Sequence, residues 1–349
     1  MEVKKRDAYL DIVKGIAIIA VVVGHCIQFG SGAEFMQGDF FYNDVFRFIY
    51  SWHMPLFMLV SGYLFSFSVR RHDWQALVIS RFKQLVLPML SWAILITIVL
   101  CTLGGGNGTF IHNLIKHFLN DTWFLWAIFY NSLLVLVVRN LLADSLLFYV
   151  GLYVLTFVVP DSFNAALYKY MYPFFVCSYL YGAGKLPNLQ RFFYFSNNVQ
   201  ILLLTIIVYA GLFSMYGYDA YIYTSGYTVV ELRAHIVTEW KFWNDIYRML
   251  IGFVGAALIL LLLRLIYDSS CMILSKVWSL LQNIGIASLA IYIISVYIYG
   301  YVIPKICMDF ELNYAMTILE SVLVVSACYV GFIIIRSQRI ANRFLLGGR

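Results

Sequence analysis

Asp7, Asp11, Lys14 and His25 stand together in an apolar stretch near the start of the sequence. On a helix turning about 100° per residue, Lys14 and His25 differ by about 20° of rotation and about 16 Å of rise. Asp11 then lies about 60° from Lys14 and about 40° from His25, with Asp7 close to both. Gln28 continues the stripe about one turn beyond His25. Ionisable groups in such a run are costly and usually face a cavity or a partner. Asp11 and Lys14, three residues apart, can simply neutralise each other near a membrane surface, with Lys14 reaching out to the headgroups. That explanation does not extend to His25, which lies deeper. A single intramembrane histidine can be a hydrogen-bonding group between helices or a base.

The next apolar stretch opens with Ser51-Trp52-His53-Met54-Pro55-Leu56-Phe57 and continues to Ser61-Gly62-Tyr63. In a hairpin of these two stretches, His25 and His53 fall at similar depth. Two imidazoles there suit a general base with its helper, or a proton relay. They can also be two ligands of a metal, but no third ligand has matching spacing, so no metal is expected. Pro55 frees a backbone carbonyl and can open a kink beside the pair. Arg81 and Lys83 precede Leu87-Pro88 at the mouth of a third apolar run, where they can hold an anion or serve as ordinary anchors. Asn131, Ser288, Tyr292, Ser295 and Glu320 are further polar groups in apolar surroundings. Glu320 can pair with a histidine, and the serines read most simply as helix packing.

Composition defines what must carry these groups. Hydrophobic residues make up 62% of the chain and charged residues 12%, against roughly 25% charged in soluble domains. Apolar runs near the length of about 20 residues that spans a hydrocarbon core recur throughout. They fall at 8–29, 45–68, 82–103, 122–139, 143–159, 168–184, 197–215, 245–266, 283–303 and 315–335. Lipid offers no partner for a strand edge, so each is expected to be a helix. The expected fold is all-α: a polytopic membrane bundle of about ten transmembrane helices, one integral membrane domain over 1–349. The 27 Tyr and 28 Phe suggest interfacial belts, aromatic packing and a lined cavity.

Counting alternate sides places most basic residues on one face, including Lys4, Lys5, Arg6, Arg70, Arg71, Arg139, Arg336, Arg339 and Arg343. That bias predicts cytoplasmic N- and C-termini. The net charge of +6 reflects it; no basic run suits phosphate tracking, and no nucleic-acid partner is expected. Asp11 and Lys14 interrupt the first apolar run, which reads as a retained helix rather than a cleaved leader. The six cysteines are scattered and give neither a disulfide framework nor a zinc site. Gly104-Gly105-Gly106 lacks the context of a phosphate loop. The segment 216–244, rich in Tyr and charge (Glu231, Arg233, His235, Glu239), is suited to holding a sugar or to capping the bundle.

The first run, Arg6-Asp7-x-x-Leu10-Asp11-x-x-Lys14-Gly15-Ile16-Ala17-Ile18-x-x-Val21-x-x-x-His25, and the second, His53-Met54-Pro55-Leu56-Phe57-x-x-x-Ser61-Gly62, resemble acyltransferase family three. These are integral membrane proteins that O-acetylate surface polysaccharides and related glycoconjugates. Arg81-Phe82-Lys83-Gln84-Leu85-x-x-Pro88 is similar to the family's basic segment. Trp123-Phe124-Leu125, Tyr172-Pro173-Phe174-Phe175 and Gly285-x-x-Ser288-Leu289-Ala290-Ile291-Tyr292 are weaker matches in the expected order. The resemblance implies a donor acyl-CoA, usually acetyl-CoA, docking from the cytoplasm, and a catalytic His25. Lys14 stands where the family usually has Arg, Gln84 replaces the second arginine of the basic segment, and Ser295 occupies a common histidine position. Lysine offers a phosphate a point charge without the bidentate fork.

The resulting expectation is an O-acyltransferase of a bacterial inner membrane. Lys14, Arg81 and Lys83, with Asp11 beside them, would hold the donor phosphates. His25 would act as general base or acyl carrier, and His53 would orient it or stabilise the oxyanion. Glu320, Gln28 and Tyr292 would face the acceptor, a glycan or polyprenyl-linked sugar. The competing reading is a multi-span transporter or flippase of a glycolipid or small polar solute. That class favours broken helices at matched positions in two halves, and no such symmetry is visible here.

Overall fold

The computed structural model describes residues 7–30, 40–102, 108–156, 164–189, 198–223, 239–268, 274–306 and 313–348. Lys4, Lys5, Arg6, Gly104–Gly106, Glu231, Arg233, His235 and the side chain of Glu239 lie outside them. All regular structure among the described residues is helical. In chain order the helices are α1 (Ala8–Phe29), α2 (Asp44–Tyr50), α3 (His53–Val69), α4 (Trp74–Arg81) and α5 (Leu87–Thr102). They continue as α6 (Phe110–Asn120), α7 (Trp123–Leu141), α8 (Leu146–Thr156), α9 (Ala165–Gly182), α10 (Asn198–Ser214) and α11 (Glu239–Asp268). The last are α12 (Ser275–Ile286), α13 (Ser288–Tyr297), α14 (Ile303–Ile306), α15 (Tyr314–Ser337) and α16 (Arg339–Leu345).

Among the described residues, seven helical stretches are long and apolar enough to cross a membrane: Ala8–Phe29, Asp44–Val69, Trp74–Thr102, Trp123–Leu141, Trp243–Asp268, Ser288–Lys305 and Tyr314–Ser337. The helices under the other expected spans, α8, α9 and α10, are shorter or more polar. The outward faces are oily. Leu204, Ile207, Leu323 and Ile334 are 60%, 69%, 60% and 60% exposed, a surface suited to lipid rather than water. The fold is thus an all-α polytopic membrane bundle.

Local chemistry explains the breaks. The run expected at 45–68 divides at Ser51-Trp52 into α2 and α3. Pro55 falls in the first turn of α3, where a missing N–H is tolerated. The run expected at 283–303 divides at Ala287 (φ −83°, ψ 0°). Two π-turns, Phe82–Val86 and Ile298–Val302, each stand just before a proline. Pro88 and Pro304 cannot donate to the carbonyls of Gln84 and Gly300, and their rings crowd those carbonyls. The chain answers with i→i+5 bonds, Leu87 N–H to the Phe82 carbonyl and Ile303 N–H to the Ile298 carbonyl.

The helices form two compact units. The first takes Met1–Phe57, Phe195–Tyr216 and Ile251–Ile334. Asp7 caps α1 by accepting from the N–H groups of Tyr9 and Leu10. Gly15 and Gly285 let α1 and α12 cross backbone to backbone: a Cβ at Gly285 would lie 1.8 Å from the Asp11 carbonyl oxygen. Tyr9 donates to the Leu260 carbonyl at 2.7 Å, and Ser51 and Tyr209 share a 2.7 Å hydroxyl pair.

The second unit takes Met58–Tyr194, Gly217–Leu250 and Ile335–Arg349. Gly62 of α3 lies against the Phe175 carbonyl of α9, and Gly182 of α9 against the Ser66 hydroxyl of α3. Ala143 and Asp144, both at positive φ, form a turn in which Asp144 accepts from Tyr149 at 2.6 Å and from Tyr179. Helix α6, which the apolar runs did not signal, is inverted: Ile111 is 67% exposed while Asn113 and His117 are buried. Oily residues outward and polar residues inward are what lipid demands of a helix with a polar stripe.

Candidate functional site

The far end of α1 gathers the polar groups of the first unit. Gly24 has no side chain, so the Tyr50 ring lies on α1: an added Cβ would be 2.8 Å from the ring. Tyr50 donates to Gln28 Oε1 at 3.3 Å, and its ring meets that of His53 edge-on with centroids 4.6 Å apart. His53 is buried, and its Nδ1 lies 2.8 Å from the Ile49 carbonyl. Donation from Nδ1 to that carbonyl leaves Nε2 as an acceptor.

One step around α1, His25 turns to the π-turn at Ile298–Val302. Its ring contacts Phe29 and Tyr299, each at 6.1 Å between centroids. Its Nδ1 is buried with no hydrogen-bond partner among the described residues. The two histidines are near enough to interact electrostatically. The structure therefore brings His25, His53 and Gln28 together around Tyr50 and Tyr299.

Glu320 lies at the same end of α1 on a different partner from the expected one. Its carboxylate sits over Gly30, where a Cβ would be 2.7 and 2.8 Å from its two oxygens, with the Cys26 thiol beside it. It pairs with neither His25 nor His53, and its Oε1 is buried without a hydrogen bond among the described residues. A carboxylate at a helix C-terminus gains nothing from the helix dipole. Tyr292 is buried on α13, about 10 Å before Tyr299 along the chain and about 20° around the helix.

At the other end of the stripe Lys14 and Asp11 form a 2.6 Å ion pair, their side chains 18% and 4% exposed. Arg81 and Lys83 belong to the second unit. Arg81 ends α4 with its guanidinium 4.5 Å from the Phe65 ring centre. Lys83 lies exposed in the π-turn, and Gln84 donates to Ser80 Oγ at 3.0 Å. π-turns inside α-helices are frequent at functional positions, and here they carry Lys83 and Tyr299.

Comparison with known proteins follows this geometry. A family model described as Acyltransferase domain, the third of the acyltransferase families, matches residues 7–336. The chain belongs to this acyltransferase family. A protein described as Nodulation protein NolL from Mesorhizobium japonicum (strain LMG 29417 / CECT 9101 / MAFF 303099) is 32% identical over 50% of this chain and 48% of its own length. One of the same description from Sinorhizobium fredii (strain NBRC 101917 / NGR234) is 35% identical over 50% of this chain and 49% of its own length. The chain thus spans about half the length of the curated relatives it matches. No solved structure matches it.

A buried His–Asp hydrogen bond and a buried ion pair were not expected from the sequence of this acyltransferase-family chain. His117 Nδ1 lies 2.9 Å from Asp121 Oδ2, and Arg248 Nη2 lies 3.0 Å from Asp245 Oδ1 with its guanidinium over Tyr170. Their i,i+4 and i,i+3 spacings were available signals. The first lies outside the apolar runs, and the second stands at the start of the run expected at 245–266, where charges read most simply as interfacial anchors. Among the described residues no group of three or more His, Cys, Asp or Glu could hold a metal ion.

Proposed function

We propose that the chain is a membrane O-acyltransferase, one domain over 1–349, moving an acyl group, most simply acetyl, from acyl-CoA to a hydroxyl of a cell-surface or lipid-linked glycan. The observation that carries this reading is His25, an imidazole beside buried polar groups with a buried ring nitrogen that no described group uses. The family match running through both units supports the single domain and the chemistry. The two rhizobial relatives support a bacterial inner membrane, and the basic ends of the helices support cytoplasmic N- and C-termini.

In this reading His25 takes the proton of the acceptor hydroxyl as its oxygen attacks the thioester carbonyl. The C–S bond then breaks, and the thiolate leaves as CoA and takes up a proton. His53, held through Nδ1 by the Ile49 carbonyl, steadies His25 or the developing oxyanion. Gln28, Tyr292 and Glu320 face the sugar, and the unpaired Glu320 oxygen suits a sugar hydroxyl donor. Lys14, Arg81 and Lys83 hold donor phosphates. The test is transfer of label from acetyl-CoA to a glycan-lipid extract by the purified protein in detergent. Acceptor-dependent transfer is the expected result; absence of both CoA binding and turnover overturns the proposal.

Two substitutions probe the roles separately. Lys14→Met alone breaks the buried pair with Asp11, at about 3–5 kcal/mol. The double variant Asp11→Asn, Lys14→Met removes the pair together and should fold, raising the donor KM about fivefold with little change in kcat. An unchanged donor KM removes Lys14 from the phosphate role. His53→Ala should lower kcat roughly 10- to 100-fold with donor affinity held; wild-type turnover would leave His53 a packing residue.

A further inference from the structure

The π-turn at Phe82–Val86 carries Lys83, follows Arg81, and has a second backbone pressed against it. Helix α16 ends in a left-handed cap: Gly347 has φ +70°, and the Gly348 N–H donates to the Asn342 carbonyl at 3.0 Å. Leu346 is 1% exposed, and Trp92 of α5 donates through Nε1 to the Leu345 carbonyl at 3.1 Å. These anchors set Gly347 onto the Lys83–Gln84 peptide. A Cβ there would lie 2.7 Å from Gln84 Cα, 2.9 Å from the Lys83 carbonyl oxygen and 3.1 Å from the Gln84 carbonyl oxygen. All three atoms are backbone, so no side-chain rotation relieves the contact.

We propose that Gly347 is a positioning residue for the acyl donor, its backbone bracing the π-turn so that Lys83 and Arg81 stay in place for the donor phosphates. The inference rests on the donor reading given above. Pro88 leaves the Gln84 carbonyl without its helical donor, so the widened turn lacks one of the bonds that stiffen an α-helix. The close-packed Gly347 backbone supplies a wall in its place. Gly348 offers an internal control. It has φ +77°, the same backbone demand, yet nothing lies within 4 Å of a Cβ built on it. Contact with the π-turn therefore separates the two glycines, while left-handed strain is common to both.

The experiment compares Gly347→Ala, Gly348→Ala and Trp92→Phe with wild type, using acetyl-CoA as varied donor and CoA binding by calorimetry. Gly347→Ala should raise the donor KM and the CoA dissociation constant about five- to tenfold, with kcat at saturating donor and the acceptor KM within about twofold. Gly348→Ala should leave both donor constants unchanged, and Trp92→Phe should raise them about two- to threefold. Wild-type donor constants in Gly347→Ala, or equal effects in both glycine variants, overturn the proposal. If Gly347→Ala does not fold, Trp92→Phe decides, and wild-type donor constants there overturn it. A wild-type protein that neither binds CoA nor uses acetyl-CoA removes the proposed function itself, and this inference with it. A wild type that uses the donor while Gly347→Ala matches it removes this inference alone.

Discussion

Replacing His25 with alanine is expected to lower kcat roughly 10³- to 10⁴-fold, with the donor KM within about threefold of wild type. The size follows from the role: proton removal from the attacking hydroxyl accelerates such steps by about 10²–10⁴, and an acyl-carrier role makes the loss larger. The substitution should be structurally mild. His25 Nδ1 has no hydrogen bond to lose, and the ring's contacts with Phe29 and Tyr299 are aromatic edges 6.1 Å away. Matched elution and melting profiles with lost transfer are the supporting result. Transfer at more than a tenth of the wild-type rate would take the chemistry away from His25.

The second large effect is structural and concerns Gly285. Valine there puts a Cβ 1.8 Å from the Asp11 carbonyl oxygen and 2.9 Å from the Gly15 backbone nitrogen. Neither atom belongs to a flexible side chain, so α1 and α12 must separate. Small residues at such crossings let helices pack without a hydrophobic driving force in lipid. A loss above about 4 kcal/mol is expected, enough to prevent recovery of folded protein. Gly211→Ala on α10 has nothing within 4 Å of the new methyl, and should be neutral or stabilising by about 0.5–1 kcal/mol. Monodispersity in detergent and thermal melting compare the two. A Gly285→Val protein melting like wild type would contradict the close crossing.

Much of the fold was legible because lipid allows few solutions. Each expected apolar run meets a helix, and the stripe on α1 appears with Asp11 and Lys14 paired. Other features depend on neighbours that a single run of sequence does not show. Ala287 has no helix-breaking side chain, yet α12 ends there, two residues after Gly285 meets α1 at Asp11 and Gly15. Helix α6 hides because its mixed run reads as a loop until its inward polar stripe is known. Glu320 was visible as a buried acid, but its seat on Gly30 beside Cys26 required the packing of α15. The Pro88 and Pro304 positions could have flagged both π-turns, since a proline within a membrane run must leave a carbonyl unserved.

The π-turn before Pro88 also acts as a place where the chain stores one residue. An i→i+5 turn holds one residue more than the helix around it, with the Leu87 N–H on the Phe82 carbonyl. Deleting one residue of Phe82–Val86 would close the turn to α-helix while Trp74–Arg81 and α5 kept their faces, so Arg81 would stay against Phe65. Only the residues inside the turn, Lys83 among them, would be placed anew. A relative lacking that one residue would thus match the flanking helices position by position only across a one-residue gap.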